Sequence, residues 1–249
     1  MSPASRPDVD DAALIGGALV ITALGGIGEV HPGDDLGAVV GDACERAGGL
    51  RDHDVVVVTS KVVSKAEGRL VELDETDPAA KSDVVLAESR RILRRRGDLV
   101  ISETTHGYVC ANAGVDLSNT AAGVAALLPK DPDRSARRLR AALCRRFGLD
   151  VVGVVVSDTF GRPWRKGLTD VALGVAGFAP TTDHRGSRDA CGRELAVTEV
   201  ALADELAAAA DIVKGKSRNA PVALVRGLRL DGDGSGRDLI RPPQEDLFR

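Results

Sequence analysis

Two runs rich in β-branched residues most strongly limit the folds open to this chain. The first, residues 54–59, contains four consecutive valines, and the second spans residues 151–156. Such continuously apolar runs predict strands that are buried on both faces of a sheet. Each run is followed by polar residues, at 60–65 and 157–165. Because open α/β sheets commonly bind ligands at the carboxyl ends of their strands, we expect two candidate site segments there.

The rest of the 249-residue chain alternates between strand-like and helix-like patterns. Apolar runs predict further strands at 18–23, 99–102, 107–111 and 221–225, and periodic patterns predict helices at 36–44, 77–96, 133–146 and 195–211. The order is not a regular repeat of βαβ units, and neither an internal repeat nor a linker divides the chain. We therefore expect an α+β fold, mixed α and β, in which residues 1–14 form a disordered leader and residues 15–249 form one domain.

Composition excludes several classes of protein. A formal charge of -4 argues against a nucleic-acid protein whose whole surface is basic. The four cysteines lie far apart without a Cys-x-x-Cys pair, which argues against zinc and thioredoxin-like sites and favours free thiols in a reducing cytosol. No segment approaches the ~18 consecutive apolar residues of a membrane-spanning helix, and the N-terminus lacks the features of a signal peptide. We therefore expect a cytoplasmic protein.

The polar segments contain residues suited to binding phosphates and metal ions. Lys61 and Lys65 are four residues apart, so they share one face if the segment is helical, and two ammonium groups attract a polyanion. The alternative is a solvated pair of lysines. Asp158 and Thr159 directly follow a predicted strand and form a hard-oxygen pair that could hold a divalent cation against phosphates. The alternative is a cap for the next turn.

Two common nucleotide-binding motifs are incomplete in this chain. Residues 214–217 resemble the end of a Walker A loop, but the position of its first glycine holds Ala210 and a helix precedes it where a strand is required. Residues 25–28 lack the third glycine of a dinucleotide fingerprint. The sequence therefore predicts neither a P-loop nor a Rossmann fold.

Four segments in this order resemble the coenzyme F420-0:L-glutamate ligase family. They are residues 32–36, 58–69, 111–119 and 157–165, and the resemblance extends over about residues 21–227. Members of the family stand alone in archaea and form the N-terminal half of a two-domain protein in many actinobacteria. The resemblance implies a family-specific ligase fold of two intimately associated subdomains, an intertwined homodimer, and a glutamate ligase domain at 15–249. It also implies GTP-dependent addition of L-glutamate to F420-0 through an acyl phosphate, with further γ-linked glutamates.

The same resemblance implies site residues. Those that match positions contacting GTP are Ile27, Gly28, Glu29, Val30, Ser60, Lys65 and Asn119. Asp116 and Asp158 match ligands of one divalent ion, Mg²⁺ or Mn²⁺, and Thr159 matches a ligand of a second, with K⁺ as a further cation. Two positions depart from the family pattern. Gly28 stands where a proline is usual, and Lys216 stands where relatives often carry an acidic or amide residue, although a charged lysine cannot ligate a metal. No catalytic base is identified.

Two other functions are compatible with the residues. One is a guanine-nucleotide or nucleic-acid binding module that uses the Arg-rich helix predicted at 133–146; it would bind RNA or DNA with strong salt dependence. The other is a metal-dependent phosphohydrolase in which water replaces the amine at the Asp-Thr site, and which releases phosphate from GTP without an F420 precursor. The ligase hypothesis predicts F420-0, L-glutamate and GTP as partners, with no nucleic acid and no membrane.

Overall fold

The computed structural model describes residues 17–74 and 76–247, and the leader predicted at 1–14 lies outside them. The strands are β1 Val20–Leu24, β2 Val55–Thr59, β3 Leu70–Glu72, β4 Ser89–Arg96, β5 Leu99–Thr104, β6 Val109–Ala111, β7 Val124–Ala126, β8 Gly153–Arg162, β9 Arg165–Ala176, β10 Thr182–Asp183, β11 Glu199–Val200 and β12 Val222–Arg226. The helices are α1 Leu36–Arg46, α2 Ser60–Ala66, α3 Ala80–Ala87, α4 Pro132–Phe147 and α5 Leu202–Lys214. Short 3-10 turns occur at Asn112–Gly114, Gly236–Leu239 and Pro243–Glu245.

The two valine-rich runs form neighbouring strands in the centre of a five-stranded sheet with the order β1-β12-β2-β8-β9. Strands β2 and β8 are parallel, with Val55 opposite Gly153 and Thr59 opposite Ser157, whereas the other pairs are antiparallel. All four valines of β2 are fully buried. The prediction of strands buried on both faces is therefore confirmed.

Helices cover both faces of this sheet. Because successive side chains of a strand point to opposite faces, Val56 and Val58 pack with α1, α2 and α4, while Val55 and Val57 pack with α5. Asp35 caps α1 by accepting hydrogen bonds from the N–H groups of Gly37 and Ala38. Among the helices that the structure describes, none is long and apolar enough to cross a membrane.

A second, smaller core lies beside the main sheet. It is built from α3 and two small sheets, β3-β7 and β4-β5-β6, and its buried residues are Val85, Val100, Ala113, Val115, Ala125 and Leu127. The two cores meet at a third cluster, where Tyr108 packs with Leu173 and donates a hydrogen bond of 2.5 Å to its carbonyl oxygen. The α+β prediction with two closely associated subdomains is confirmed.

The helix predicted at 77–96 is wrong in its second half. Only Ala80–Ala87 is helical, and the arginine-rich segment that follows forms β4, antiparallel to β5. The two residues Gly97 and Asp98 connect the strands, and Gly97 has a φ of 56°. Two-residue connections that contain glycine are typical of hairpins, so this signal could have identified the strand. Tertiary pairing overrides the helical pattern here.

The helix predicted at 195–211 begins too early. Helix α5 starts at Leu202, and part of the preceding segment forms β11, which pairs with β10. The residues Val197, Thr198 and Val200 are β-branched, which favours extended backbone over helix. The helix predicted at 133–146 is confirmed as α4, which ends at Gly148 in the left-handed conformation.

Candidate active site

The two polar segments predicted at strand ends lie side by side. The strands β2 and β8 are parallel neighbours with Thr59 opposite Ser157. The residues that follow these two positions therefore lie at the same end of the sheet. Ser60 begins α2 at the end of β2, while β8 continues through Asp158 and Thr159 as the first strand of a hairpin with β9. The sheet therefore brings together the segments that the sequence indicated separately.

Lys61 joins a third predicted segment to this edge. Its Nζ lies 2.7 Å from Asp116 Oδ2 and 2.7 Å from Ser118 Oγ. Although burial opposes it, hydrogen bonding from Lys61 and from Ser118 lowers the pKa of Asp116. Lys61 therefore fixes the loop that carries Asp116 against α2.

Asp158 lies close to two other carboxylates. Burial is the main cause that raises its pKa to about 6; the charges of Asp170 and Asp116 also raise the pKa, whereas its hydrogen bond from the Thr159 N–H and the charge of Lys61 lower it. In the part of the chain that the structure describes, no lysine or arginine nitrogen lies within 4 Å of the Asp158 carboxylate. Neighbouring carboxylates without enough compensating charge provide a favourable place for a cation.

Asp116 and Asp158 fit a single hard divalent ion. Such ions prefer oxygen ligands, and Mg²⁺ usually takes one or two carboxylates, completing its shell with water and substrate phosphates. Within residues 17–74 and 76–247, no three His, Cys, Asp or Glu side chains form a metal-binding group. A pair of carboxylates therefore matches an ion shared with a phosphate better than an ion held by protein alone.

Asp170, which the sequence did not indicate as a site residue, organises the other side of β8. This carboxylate is almost completely buried on β9 opposite Thr159. Its Oδ2 accepts hydrogen bonds from Ser157 Oγ (2.9 Å) and Lys214 Nζ (3.0 Å), and its Oδ1 accepts one from Thr159 Oγ1 (2.6 Å). Although burial opposes it, the charge of Lys214 and these hydrogen bonds lower the pKa of Asp170. Only the strand pairing of β8 with β9 reveals this residue.

Lys216 completes the group around Asp170. Its Nζ lies 2.6 Å from Thr159 Oγ1, 2.8 Å from Asp211 Oδ1 and 3.4 Å from Asp170 Oδ1. The intervening Gly215 has a φ of 61°, which lets the chain turn away from the end of α5 while both lysines face the same carboxylate. The segment is not a Walker A loop, as predicted, yet its lysines reach the site. The Lys-Gly-Lys pattern was the available signal.

The residues matched to GTP contacts lie on α2 and in two loops next to it. Lys65 is buried and forms an ion pair with Glu29, so the loop at 27–30 lies against this helix. The side chains of Ile27 and Val30 belong to the main core, which leaves their backbone groups for any ligand contact. Gly28 and Asn119 are exposed, and Asn119 follows Ser118, the partner of Lys61. Lys61 and Lys65 therefore hold separate carboxylates.

A cavity of about 600 Å³ opens between the two subdomains, and its lining includes Val171, the residue opposite Asp158 in the β8–β9 hairpin. Its lining residues come from β4, β5, β6 and the loop before β6, from the β8–β9 hairpin, from α5 and from the C-terminal segment: Arg91, Leu93, Arg94, Ile101, Gly107, Tyr108, Val109, Phe160, Pro163, Trp164, Val171, Ala172, Leu173, Asp204, Gly236, Leu239, Ile240, Arg241 and Asp246. The rings of Tyr108 and Phe160 meet edge to face at 6.5 Å. Phe160 is two residues from Asp158 on β8, so both side chains point to the same face. The volume lies in the ~300–1,000 Å³ range of small-molecule sites.

Comparison with known proteins identifies the family. The model of the F420-0:gamma-glutamyl ligase family matches residues 26–227. The chain belongs to the F420-0:gamma-glutamyl ligase family. It is 44% identical over 241 residues to the coenzyme F420:L-glutamate ligase of Methanopyrus kandleri, covering 89% of this chain and 94% of that protein. It is 41% identical over 239 residues to the enzyme of the same name from Methanothermobacter thermautotrophicus, covering 88% and 94%.

Most of the candidate site falls inside the part matched to F420-0:gamma-glutamyl ligases. Residues 26–227 include the loop at 27–30, the lysines of α2, the carboxylates Asp116, Asp158 and Asp170, and Lys216. Part of the cavity wall, from Gly236 to Asp246, follows the matched region. The polar centre therefore belongs to the portion shared with the family.

Proposed function

We propose that this protein uses GTP to join L-glutamate to F420-0. The observation that carries the proposal is the meeting of Asp116 and Asp158 at one sheet edge, beside an aromatic cavity, in a member of the F420-0:gamma-glutamyl ligase family. The coenzyme F420:L-glutamate ligases named among its relatives support the substrates. GTP, the divalent ion and the chemical intermediate are parts of the proposal.

The proposed chemistry has two steps. A carboxylate and an ammonium ion do not condense in water without activation. The terminal phosphoryl group of GTP therefore passes to the lactyl carboxylate of F420-0, which forms an acyl phosphate and releases GDP. The unprotonated amine of glutamate then attacks the acyl carbon, the C–O bond to phosphate breaks, and the amine nitrogen loses a proton as the amide forms. Further cycles would add γ-linked glutamates to the product.

The polar edge supplies the charges that phosphoryl transfer needs. We assign the triphosphate to the region around α2, where Ser60 begins the helix and Lys65 in its last turn pairs with Glu29 of the loop at 27–30. Asn119 follows Ser118, which bonds Lys61 of the same helix. A divalent ion held by Asp116 and Asp158 would offset the negative charge of the phosphates when bound. Lys61 would keep Asp116 in place, since it already bonds this carboxylate. When GTP binds, the ammonium group of Lys65 would leave Glu29 and contact a phosphate oxygen instead.

We propose the cavity next to the β8–β9 hairpin as the binding site of the deazaflavin ring. A planar aromatic system stacks well on aromatic side chains, and Tyr108, Phe160 and Trp164 line this cavity. Arg94 and Arg241 also line it, and among the described residues neither forms an ion pair with a carboxylate. These guanidinium groups would attract the phosphodiester of the tail. Phe160 and Asp158 share one face of β8, so a ligand stacked on Phe160 would direct its tail toward the carboxylates.

Mass spectrometry tests the reaction directly. The protein is incubated with F420-0, L-glutamate, GTP and Mg²⁺ or Mn²⁺, and the expected result is a product heavier by one or more glutamyl units together with GDP. Omission of GTP should abolish the product, and replacement of GTP by ATP measures the nucleotide preference. The ligase hypothesis would be wrong if the protein released phosphate from GTP without F420-0 and formed no glutamyl product when F420-0 was present. That result would indicate a phosphohydrolase.

Association into a homodimer is also proposed, from the family resemblance. Several large apolar side chains at the described surface are exposed, among them Trp164, Leu168, Val197 and Ile212. A second copy of the chain would cover such residues. Light scattering coupled to gel filtration should give twice the chain mass of 25.9 kDa, and a single-chain mass at micromolar concentration would exclude a stable dimer.

A further inference from the structure

The group around Thr159 does not fit the second divalent ion that the family resemblance implies. The Thr159 hydroxyl donates its proton to Asp170 Oδ1 at 2.6 Å and accepts a hydrogen bond from Lys216 Nζ, also at 2.6 Å. A metal ion bound to the remaining lone pair of this oxygen would lie next to the ammonium group, and like charges repel at such short range. The Thr159 hydroxyl therefore already forms hydrogen bonds with two charged side chains, those of Asp170 and Lys216.

The charges in this group are balanced. Asp170 and Asp211 contribute two negative charges, and Lys214 and Lys216 contribute two positive charges, all connected by contacts of 3.4 Å or less. Both oxygens of Asp170 are engaged, Oδ2 by Ser157 and Lys214 and Oδ1 by Thr159 and Lys216. A further divalent ion would meet an electrostatically neutral group without a free carboxylate oxygen on Asp170.

The neighbouring pair Asp116 and Asp158 differs in this respect. Two carboxylates there face one lysine, Lys61, which forms an ion pair with Asp116 and not with Asp158. Asp158 forms no ion pair among the described residues, so a cation would compensate its charge. The same edge of the sheet therefore offers one place with excess negative charge and one place where a lysine already provides the positive charge.

We propose that the ammonium group of Lys216 takes the place of a second divalent ion. The active site of each chain then binds one divalent ion instead of two. The inference rests on the proposed GTP-dependent function and specifies its charge arrangement. In that arrangement, Lys216 is a fixed positive charge beside Thr159, and the divalent ion is bound by Asp116 and Asp158. A lysine charge placed before the reaction stabilises developing negative charge without recruiting an ion from solution.

Counting bound Mn²⁺ tests the proposal without measuring catalysis. Electron paramagnetic resonance reports free Mn²⁺ during titration of the protein, with and without a non-hydrolysable GTP analogue. The wild type should bind one ion per chain in the presence of the analogue. Lys216→Glu replaces the ammonium by a carboxylate beside Thr159 and should bind two, with spin coupling expected for ions about 3.5–4 Å apart.

A control variant with the same charge change shows whether the ion count depends on position 216. The ligase assay tests the proposed function separately. Lys130→Glu makes the same charge change at an exposed position outside the site and should keep one ion. Because the Lys216 side chain is 61% exposed, Lys216→Glu should fold, which a melting curve verifies. Any wild-type count other than one, or a count of one in Lys216→Glu, overturns the proposal. The ion count needs neither F420-0 nor glutamate, so failure of the ligase reaction itself appears separately, as the absence of a glutamyl product.

Discussion

Asp170 and Lys214 form an ion pair in the interior, with Nζ 3.0 Å from Oδ2 and side-chain exposures of 2% and 1%. Such a pair is costly to break, since removal of one partner leaves the other charge buried without compensation. Lys214 also donates to Ser157 Oγ at 2.8 Å, so the pair links α5 to the two strands β8 and β9 that carry the site. Stability and site geometry therefore depend on the same two residues.

Lys214→Met should lower the free energy of unfolding by about 3–5 kcal/mol, because Asp170 would remain ionised or be forced to take up a proton. Urea denaturation measures the loss. The double variant Asp170→Asn/Lys214→Met should be more stable than Lys214→Met alone. As a comparison, Arg185→Ala breaks an exposed ion pair with Asp183, and its effect on the free energy of unfolding should be far smaller. Equal losses for the buried and the exposed pair would contradict this account.

Asp158→Asn should reduce turnover by orders of magnitude while the fold persists. The substitution keeps the shape of the side chain but removes the charge that a hard cation requires. Because the charges of Asp116 and Asp170 oppose ionisation of Asp158, the variant should melt at the same temperature as the wild type or higher. Asp98→Asn, at the exposed β4–β5 connection, is the matched control. Near-normal turnover of Asp158→Asn would remove this carboxylate from the proposed site.

Lys65→Ala should weaken GTP binding roughly tenfold to a hundredfold, as expected for loss of a charge-assisted hydrogen bond of ~1.5–3 kcal/mol. Glu29→Gln should strengthen it by about twofold to fivefold, because a partner that competes for Lys65 is removed. Lys61→Ala should cost less GTP affinity than Lys65→Ala, since Lys61 holds Asp116. Calorimetric titration with Mg²⁺ present separates the three variants. Unchanged affinity in Lys65→Ala would refute the assignment of this lysine to the phosphates.

Phe160→Ala should weaken F420-0 binding roughly tenfold and leave GTP affinity unchanged, because an aromatic contact contributes ~0.5–1.5 kcal/mol beyond the area it buries. Trp164, the single tryptophan of the chain, lines the cavity, so quenching of its fluorescence should report the binding. Leu168→Ala changes an exposed side chain of the same hairpin outside the cavity and is the control. Parallel loss of F420-0 affinity in both variants would instead indicate a general effect of the hairpin.

Cys44 and Cys110 should resist alkylation by iodoacetamide from pH 7 to pH 9 in the folded protein. Burial raises the pKa of each thiol to about 12, so the reactive thiolate is scarce throughout this range. Cys191 is exposed and should be modified first, as peptide mass mapping would show. Cys191→Ser removes that site and serves as the control. Labelling of Cys44 without denaturant would contradict the buried positions of these thiols.

The local sequence pattern was sufficient to predict an element where burial of apolar side chains dominates. The runs at 54–59 and 151–156 contain almost only β-branched and apolar residues, so no other element accommodates them as well as a buried strand, and both became central strands. Helix α1 begins after the capping residue Asp35, as predicted. The error at 89–96 has the opposite cause, since an arginine-rich segment carries weak periodicity and its pairing with β5 decided the outcome.

The sequence by itself determined the two valine-rich central strands, the residue types at their ends and the family, because these follow from local composition and from motifs in a given order. Only the tertiary structure decided which charges meet. Lys61 faces Asp116 across 55 positions of chain, and Lys216 reaches Thr159 across 57. The first pair forms because Asp116, bridged to Ala126 of β7, lies against α2, and the second forms because α5 packs on the face of the sheet that contains β8 and β9. Sequence separation carries no information about that proximity, and a polar residue such as Asp170 looks ordinary until its partners are in place.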